Sequence, residues 1–138
     1  TINEKLNPIR EFLEGKRVVL IDDSVVRGNT SRRIVARVRK AGAKEVHLRV
    51  GCPPIISPCY LGIDMPSREE FIAPDKSMKE ITRDVGADSV AYISIDGLVR
   101  AVGKPQDKLC LGCINEEYPV PIPGERVRGQ ATLEEFEA

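Results

Sequence analysis

The sequence predicts an α/β fold in which helices flank a parallel sheet. Three observations predict it: a short apolar run that ends at two aspartates, apolar residues that follow at helical spacing, and a second segment in which apolar and polar residues alternate. In this order they form a strand, a helix and a second strand. This β-α-β unit is typical of parallel sheets, and we expect its crossover to be right-handed.

The first strand is predicted at residues 17–21, where the side chains of residues 18–21 are all branched and apolar. Because such a run lacks a polar face, we expect this strand to be buried on both sides. A helix follows the loop through Gly28, with Thr30 or Ser31 as its cap and Gly42 as its natural end. In the second strand, residues 46, 48 and 50 are apolar and alternate with polar neighbours, so one of its faces is expected to be less apolar.

The rest of the chain is predicted to add a third strand and further helices before it becomes extended. Prolines and glycines interrupt regular structure between residues 51 and 58. We expect helices at residues 67–72, 76–85 and 97–102, with Asp96 as the cap of the last one, and a strand at residues 89–94.

From Gly103 onward, prolines and charged residues dominate, and only a frayed helix is expected, at residues 132–136. The predicted organisation is therefore a folded domain at residues 1–103, followed by an extended tail at residues 104–138 that carries cysteines. No internal repeat is present in the sequence.

The composition excludes a general attraction to nucleic acid or to membranes. The 138 residues include 21 basic and 21 acidic side chains, so an anion must be bound by a local site. No apolar run approaches the length of a membrane span, and the polar segment at Thr1 does not resemble a signal peptide. We therefore expect a cytoplasmic location. Because Thr1 is not Met, we expect an excised piece, a processed piece or a chain whose upstream part is absent.

The loop between the first strand and the first long helix predicts a site for a sugar phosphate. Asp22 and Asp23 lie at the carboxyl end of a parallel strand, where open α/β folds bind ligands. The following backbone amides and helix dipole can hold a phosphate, Gly28 allows close approach, and Thr30 adds a hydroxyl donor. The alternative is that the aspartates only turn the chain and Thr30 only caps the helix.

The segment Asp-Asp-Ser-Val-Val-Arg-Gly-Asn-Thr at residues 22–30 resembles the phosphoribosyl pyrophosphate (PRPP) signature of type I phosphoribosyltransferases. It is particularly similar to the version found in glutamine PRPP amidotransferases, and the resemblance to this family continues through residues 39–46 and 62–67 to about Pro121. Asn29 replaces the usual Thr of the family. Because Asn can hydrogen-bond and tolerates a left-handed backbone, we expect phosphate binding to survive.

The resemblance implies the carboxy-terminal half of a type I phosphoribosyltransferase domain at residues 1–103. It also implies an enzyme that releases ammonia from glutamine and uses it to displace pyrophosphate from C1 of PRPP, which gives 5-phosphoribosylamine in the first step of purine synthesis. The residues implied to bind PRPP are Asp22, Asp23, Ser24, Val26, Arg27, Gly28, Asn29 and Thr30. Mg²⁺ would lie near Asp22 and Asp23, and no catalytic residue is assigned; Arg27 could contact the phosphate or point outward.

Several parts that the resemblance implies are not found in the sequence. The glutaminase nucleophile, the pyrophosphate loop and the flexible closing loop of the family are missing, so the chain alone is expected to be inactive. Its partners would be PRPP and the missing amino-terminal portions of the same enzyme, with a homo-oligomer when complete. The alternatives are a salvage phosphoribosyltransferase, a PRPP-binding regulator and a phosphoacceptor receiver domain, and the last is disfavoured because Asp64 does not follow a long apolar strand.

The four cysteines suggest a metal site. Cys110 and Cys113 form a C-x-x-C pair, which on its own fits zinc, a redox pair, an iron-sulfur cluster or plain buried thiols. The resemblance implies that Cys59, Cys110 and Cys113 hold a four-iron, four-sulfur cluster, with a fourth ligand upstream. We expect these three residues to converge and Cys52 to lie apart as a small buried side chain.

Overall fold

A computed structural model describes residues 8–63, 65 and 70–122 of the chain. Its centre is a parallel three-stranded sheet with the order β1-β2-β3, formed by Arg17–Asp22 (β1), Glu45–Val50 (β2) and Ser89–Tyr92 (β3). In the register, Leu20 lies opposite Leu48, and Leu48 lies opposite Val90. The predicted parallel sheet is confirmed, although β3 ends two residues earlier than expected.

Helices connect and follow the strands in the described part of the chain. They are Arg10–Leu13 (α1), Asn29–Lys40 (α2), Met78–Val85 (α3), Ile95–Val102 (α4) and Gly112–Asn115 (α5), with a 3₁₀ turn at Gln106–Lys108. None of the described helices has the length and apolar character needed to cross a membrane. Residues 67–69 of the helix predicted at 67–72, and the whole helix predicted at 132–136, lie outside the described residues.

Helix α3 shows why this part of the sequence folds locally. The hydroxyl of Ser77 accepts a hydrogen bond from the amide of Glu80, whose carboxylate accepts one from the amide of Ser77 at 2.8 Å. This reciprocal capping box satisfies amide groups that the first turn of a helix leaves without partners. Gly86, in the left-handed conformation, ends the helix.

The caps of the other two long helices differ from those predicted. Ser94, rather than Asp96, caps α4 by accepting a hydrogen bond from the amide of Gly97 at 3.0 Å. Helix α2 has no side-chain cap, because Gly28 holds the capping position and Thr30 lies inside the helix. The predictions that Asp96 caps one helix and that Thr30 or Ser31 caps the other are therefore wrong.

The hydrophobic core lies on one side of the sheet, between the strands and helices α2 and α3. Its most deeply buried members are Val35, Val46, Leu48, Ile81 and Val85, each no more than 2% exposed. These residues alternate along β2 and recur at helical spacing in α2 and α3. Burial of each such side chain contributes about 1.5 to 3 kcal/mol, so this single layer supplies much of the stability.

The prediction that β1 is buried on both faces is wrong. Val18 and Leu20 pack against the core, whereas Val19 is 58% exposed and Ile21 is 84% exposed. In the described part of the chain, helices cover only the first of these faces and β1 pairs only with β2. An apolar run predicts that both faces seek burial, but it does not supply the element that would cover the second face.

The segment from residue 104 to 122 is attached to the domain. The amides of Ile56 and Ser57 both donate hydrogen bonds to the carbonyl of Cys113, at 2.9 and 3.1 Å. The hydroxyl of Tyr118 bonds to Oγ of Ser57 at 2.7 Å and donates to the carbonyl of Pro58 at 2.6 Å. Within the predicted extended tail, the described residues therefore contain two single turns of helix, and Cys113 in the second turn and Tyr118 anchor the segment to residues 56–58.

Candidate functional site

A pocket of about 570 Å³ opens at the carboxyl end of β1, where the strand passes into the loop before α2. Residues 22–31, Ile63 and Met65 line it. All the residues predicted to bind PRPP are thus brought together: Asp22, Asp23, Ser24, Val26, Arg27, Gly28, Asn29 and Thr30. Their binding of a ligand stays a prediction, and the pocket is where open α/β folds place ligands.

The two aspartates of the pocket have different environments. Asp22 is half-buried, and its carboxylate accepts hydrogen bonds from Oγ of Ser31 at 3.2 Å and from the amide of Asp23 at 3.1 Å. Burial is the main reason that the pKa of Asp22 lies above its ordinary value, and the Ser31 hydroxyl opposes this shift. Asp23 is exposed and accepts a hydrogen bond from the amide of Ser24 at 2.8 Å. Asp22 is therefore tied to α2, while Asp23 presents its carboxylate to the pocket.

Gly28 places the start of α2 against the pocket. It has a φ of 74°, and its carbonyl accepts the first helical bond from the amide of Arg32 at 2.9 Å. A Cβ atom at this position would lie 2.5 Å from Cδ1 of Ile72, so a larger residue would adopt a strained positive φ and would also displace the Ile72 side chain. Because the first amides of a helix lack intrahelical acceptors, those that follow Gly28 can bind an anion.

A second segment, residues 70–72, supports the loop. The amide of Ile72 donates to the carbonyl of Val26 at 2.9 Å, and Nη2 of Arg27 donates to Oε2 of Glu70 at 2.5 Å. Arg27 and Glu70 are each about half exposed, at 50% and 47%. The sequence left the direction of the Arg27 side chain open, and the structure pairs it with Glu70.

Sequence comparison connects this pocket to known enzymes. The amidophosphoribosyltransferase of Methanocaldococcus jannaschii is 57% identical over 126 residues, which are 91% of this chain and 26% of that protein. The amidophosphoribosyltransferase of Archaeoglobus fulgidus is 55% identical over 127 residues, again 91% of this chain and 28% of that protein. No protein-family model matches the chain.

Comparison with solved structures finds the same kind of enzyme. Glutamine PRPP amidotransferase from B. subtilis, complexed with ADP and GMP, superposes with a TM-score of 0.78 and 46% identity over 86% of this chain and 27% of that chain. This sequence is homologous to part of the amidophosphoribosyltransferases. It spans about a quarter of the length of the curated relatives that it matches.

The described residues do not by themselves form a metal site, although Mg²⁺ is expected near Asp22 and Asp23. No described group of three or more His, Cys, Asp or Glu side chains could hold a metal ion. Asp22 and Asp23 supply the oxygen ligands that Mg²⁺ prefers, and Mg²⁺ commonly completes its shell with waters and substrate phosphates. Two carboxylates therefore fit a cation that arrives with the substrate.

The described cysteines do not form such a group. Burial is the main reason that the pKa of Cys113 is raised, and the charges of Cys59 and Cys110 add to it. The pKa of Cys52 is raised by burial and then by the charges of Cys113 and Asp23, and its separation from the other three cysteines stays a prediction. All four cysteines are free. Thiolates suit an iron-sulfur cluster, but the described positions do not gather three ligands.

Sequence reasoning missed four residues in or beside this pocket. Ser31 differs from the assigned residues only in being one position further along α2, and its hydroxyl opposes the rise that burial causes in the pKa of Asp22. Ile63 and Met65 lie in the segment 62–67, which resembles the family, yet no role was predicted for it. Glu70 carries no local signal, because its partner Arg27 is 43 residues away.

Proposed function

We propose that this chain is the part of an amidophosphoribosyltransferase that binds the ribose 5-phosphate moiety of PRPP. The observation that supports this best is the convergence of residues 22–30 on one pocket at the amino terminus of α2. In the complete enzyme, ammonia released from glutamine displaces pyrophosphate from C1 of PRPP and gives 5-phosphoribosylamine. The high identity over about nine tenths of the chain, including its tail, favours this activity over a salvage transferase or a regulator.

The pocket suggests which of its residues contact the phosphate of the ligand and which contact the ribose. The 5-phosphate would lie at the first turn of α2, where the amides after Gly28 and the hydroxyl of Thr30 donate hydrogen bonds. The ribose hydroxyls would donate to Asp23, whose carboxylate faces the pocket, and to the oxygens of Asp22 that remain accessible. Arg27 would add a charge-assisted contact to the phosphate.

Catalysis by this half of the site would come from positioning and electrostatics. The ribosyl carbon develops positive charge as pyrophosphate leaves, and nearby carboxylates stabilise such charge in a site with little water. Asp22 and Asp23 would orient the ribose and approach the Mg²⁺ ion, which supplies charge neutralisation for the departing pyrophosphate when it is bound. No general base is required from these residues if ammonia arrives unprotonated.

The remaining partners are proposed to be other portions of the same polypeptide. The glutaminase, the pyrophosphate loop and the closing loop would come from the three quarters of the enzyme that this chain does not match. The exposed side chains of Val19 and Ile21 would be covered there, since apolar groups this exposed on a sheet favour contact with another element. A homo-oligomer in the cytoplasm and inactivity of the chain alone are part of the same proposal.

We also propose that Cys59, Cys110 and Cys113 hold a four-iron, four-sulfur cluster together with a ligand from the upstream portion. The effect of the Cys59 and Cys110 charges on the Cys113 thiol supports this, and the bonds from residues 56 and 57 to the Cys113 carbonyl join Cys113 to a segment that ends two residues before Cys59. Equal amounts of iron and inorganic sulfide in the anaerobically prepared full-length enzyme are expected. Zinc alone would contradict the cluster.

Kinetics of the full-length enzyme test the function. Because hydrogen bonds to charged groups contribute about 1.5 to 3 kcal/mol, Asp23→Asn should lower kcat/KM for PRPP roughly tenfold or more. Asp96→Asn, which changes an exposed aspartate in the first turn of α4, is the matched control and should leave kcat/KM unchanged. Equal kcat/KM values for the Asp23 variant and the unaltered enzyme would remove its assigned role.

A further inference from the structure

Arg27 is the one cationic side chain among the described residues that line this pocket, which also contains two carboxylates. Its charge can pair with the phosphate of a ligand or with Asp22 and Asp23, which line the same pocket. A guanidinium folded over the aspartates would occupy the place of the ribose. An interaction that holds the Arg27 side chain away from Asp22 and Asp23 before the substrate binds would keep this place open.

Glu70 is placed to make this interaction with Arg27. Its Oε2 atom accepts a hydrogen bond from Nη2 of Arg27 at 2.5 Å, whereas Glu70 is not among the residues that line the pocket. A guanidinium has five N–H donors, so the bond through Nη2 leaves donors for a phosphate oxygen. The carboxylate thus fixes the direction of Arg27 without using its whole capacity for hydrogen bonds.

The backbone near Glu70 is itself fixed to the phosphate loop. The amide of Ile72 donates to the carbonyl of Val26, and Cδ1 of Ile72 lies on the side of Gly28 where a Cβ atom would point. Ile72 is 5% exposed and belongs to the hydrophobic core. Because Ile72 is anchored in this way, the Glu70 carboxylate two residues earlier is held at a defined place beside the loop.

We propose that Glu70 is a positioning residue that holds Arg27 ready for the phosphate of the substrate and away from Asp22 and Asp23. This inference rests on the proposed function, since it concerns the same pocket. Ordering a long side chain before binding removes part of the entropy cost of association. Glu70 should therefore affect the binding of PRPP and not the chemical step.

The test compares variants of the full-length enzyme by steady-state kinetics with PRPP. Because the ion pair is half exposed and therefore weak, Glu70→Ala should raise the KM for PRPP about threefold to fivefold and leave kcat unchanged. Glu70→Gln keeps an oxygen acceptor and should recover part of this loss. Glu14→Ala is the matched control, because it removes an exposed Arg-Glu pair at Arg10, outside the pocket.

The kinetic constants of these variants decide whether Glu70 positions Arg27. A KM for Glu70→Ala equal to that of the unaltered enzyme, or lower, overturns the role of Glu70, as does an equal increase in the Glu14 control. A fall in kcat with unchanged KM also overturns it. If the Asp23→Asn variant loses PRPP use while Glu70→Ala does not, only this inference fails; if the unaltered enzyme does not use PRPP, the proposed function fails and this inference fails with it.

Discussion

Oγ of Ser31 donates a hydrogen bond of 3.2 Å to Oδ2 of Asp22, which joins the first turn of α2 to the end of β1. Ser31 is 3% exposed, so this bond lies in the floor of the pocket. It opposes the effect of burial on the pKa of Asp22, because a donor to a carboxylate favours the charged form. The Ser31 hydroxyl thus favours the ionised form of Asp22, the last residue of β1, although this side chain is half-buried.

Replacing Ser31 with Ala should raise the pKa of Asp22 further, because the donor is lost while the burial remains. The free energy of unfolding should fall by about 1 kcal/mol, as expected for one buried hydrogen bond. Carboxyl-detected NMR titration and denaturant unfolding measure the two effects. Thr82→Ala is the control, since that hydroxyl bonds the carbonyl of Met78 and not a carboxylate. An unchanged Asp22 pKa in the Ser31 variant would contradict the assigned contact.

The raised pKa of Asp22 predicts a pH dependence of stability. When the folded pKa exceeds the unfolded value, burying the charge costs free energy at pH values above both, and the cost disappears below both. The stability of the unaltered chain relative to Asp22→Asn should therefore increase as the pH falls through the folded pKa toward the unfolded one. Unfolding curves of both proteins across this pH range measure the difference. A relative stability that decreases with falling pH would show that the pKa is lowered instead.

Gly28→Ala should destabilise the chain more than Gly86→Ala. Both glycines have a positive φ, 74° and 78°, so each substitution carries a backbone strain of about 1 to 2 kcal/mol. Only at Gly28 would the new methyl group also meet Cδ1 of Ile72; around Gly86, no described heavy atom lies within 4 Å of the added carbon. Shortening Ile72 to Val in the Gly28→Ala background should recover part of the excess loss. Equal destabilisation by the two alanines would exclude a close contact at Gly28.

Tyr118→Phe should loosen the attachment of the tail. The hydroxyl of Tyr118 bonds to Ser57 and Pro58, and its removal should cost about 1 kcal/mol. Tyr92→Phe is a matched control, because the buried hydroxyl of Tyr92 has no hydrogen-bond partner among the described residues. That change should be neutral or stabilising. Limited proteolysis after residue 103, together with unfolding curves, distinguishes the two variants, and faster cleavage in the Tyr92 variant alone would contradict this assignment.

Local sequence patterns predict much of the fold because periodicity depends on neighbouring residues. The strand predicted at residues 17–21 is observed at Arg17–Asp22, and the alternation along β2 is observed as buried and less buried sides. The binding loop was predictable for the same reason, since residues 22–30 are contiguous. Ser94 could not be distinguished from Asp96 as a cap by residue type alone, because both side chains accept hydrogen bonds from helix amides.

Relationships between distant segments were not predictable from these patterns. The ion pair of Arg27 with Glu70 and the approach of Ile72 to Gly28 depend on how a later loop packs against the first one. The exposure of Ile21 likewise depends on which elements cover the sheet, and an apolar run does not report them. The hydrogen bonds from Ile56 and Ser57 to the Cys113 carbonyl likewise arise from tertiary packing between segments that no motif connects.

The binding of ribose 5-phosphate by the isotopically labelled chain tests the central claim most directly. Saturable shifts of the backbone amide signals are predicted at residues 28–31, because the phosphate would lie at the first turn of α2. Unphosphorylated ribose should not produce them at the same concentration. If ribose 5-phosphate shifts no amide in this loop, or shifts only amides far from it, the assignment of the pocket to PRPP is contradicted.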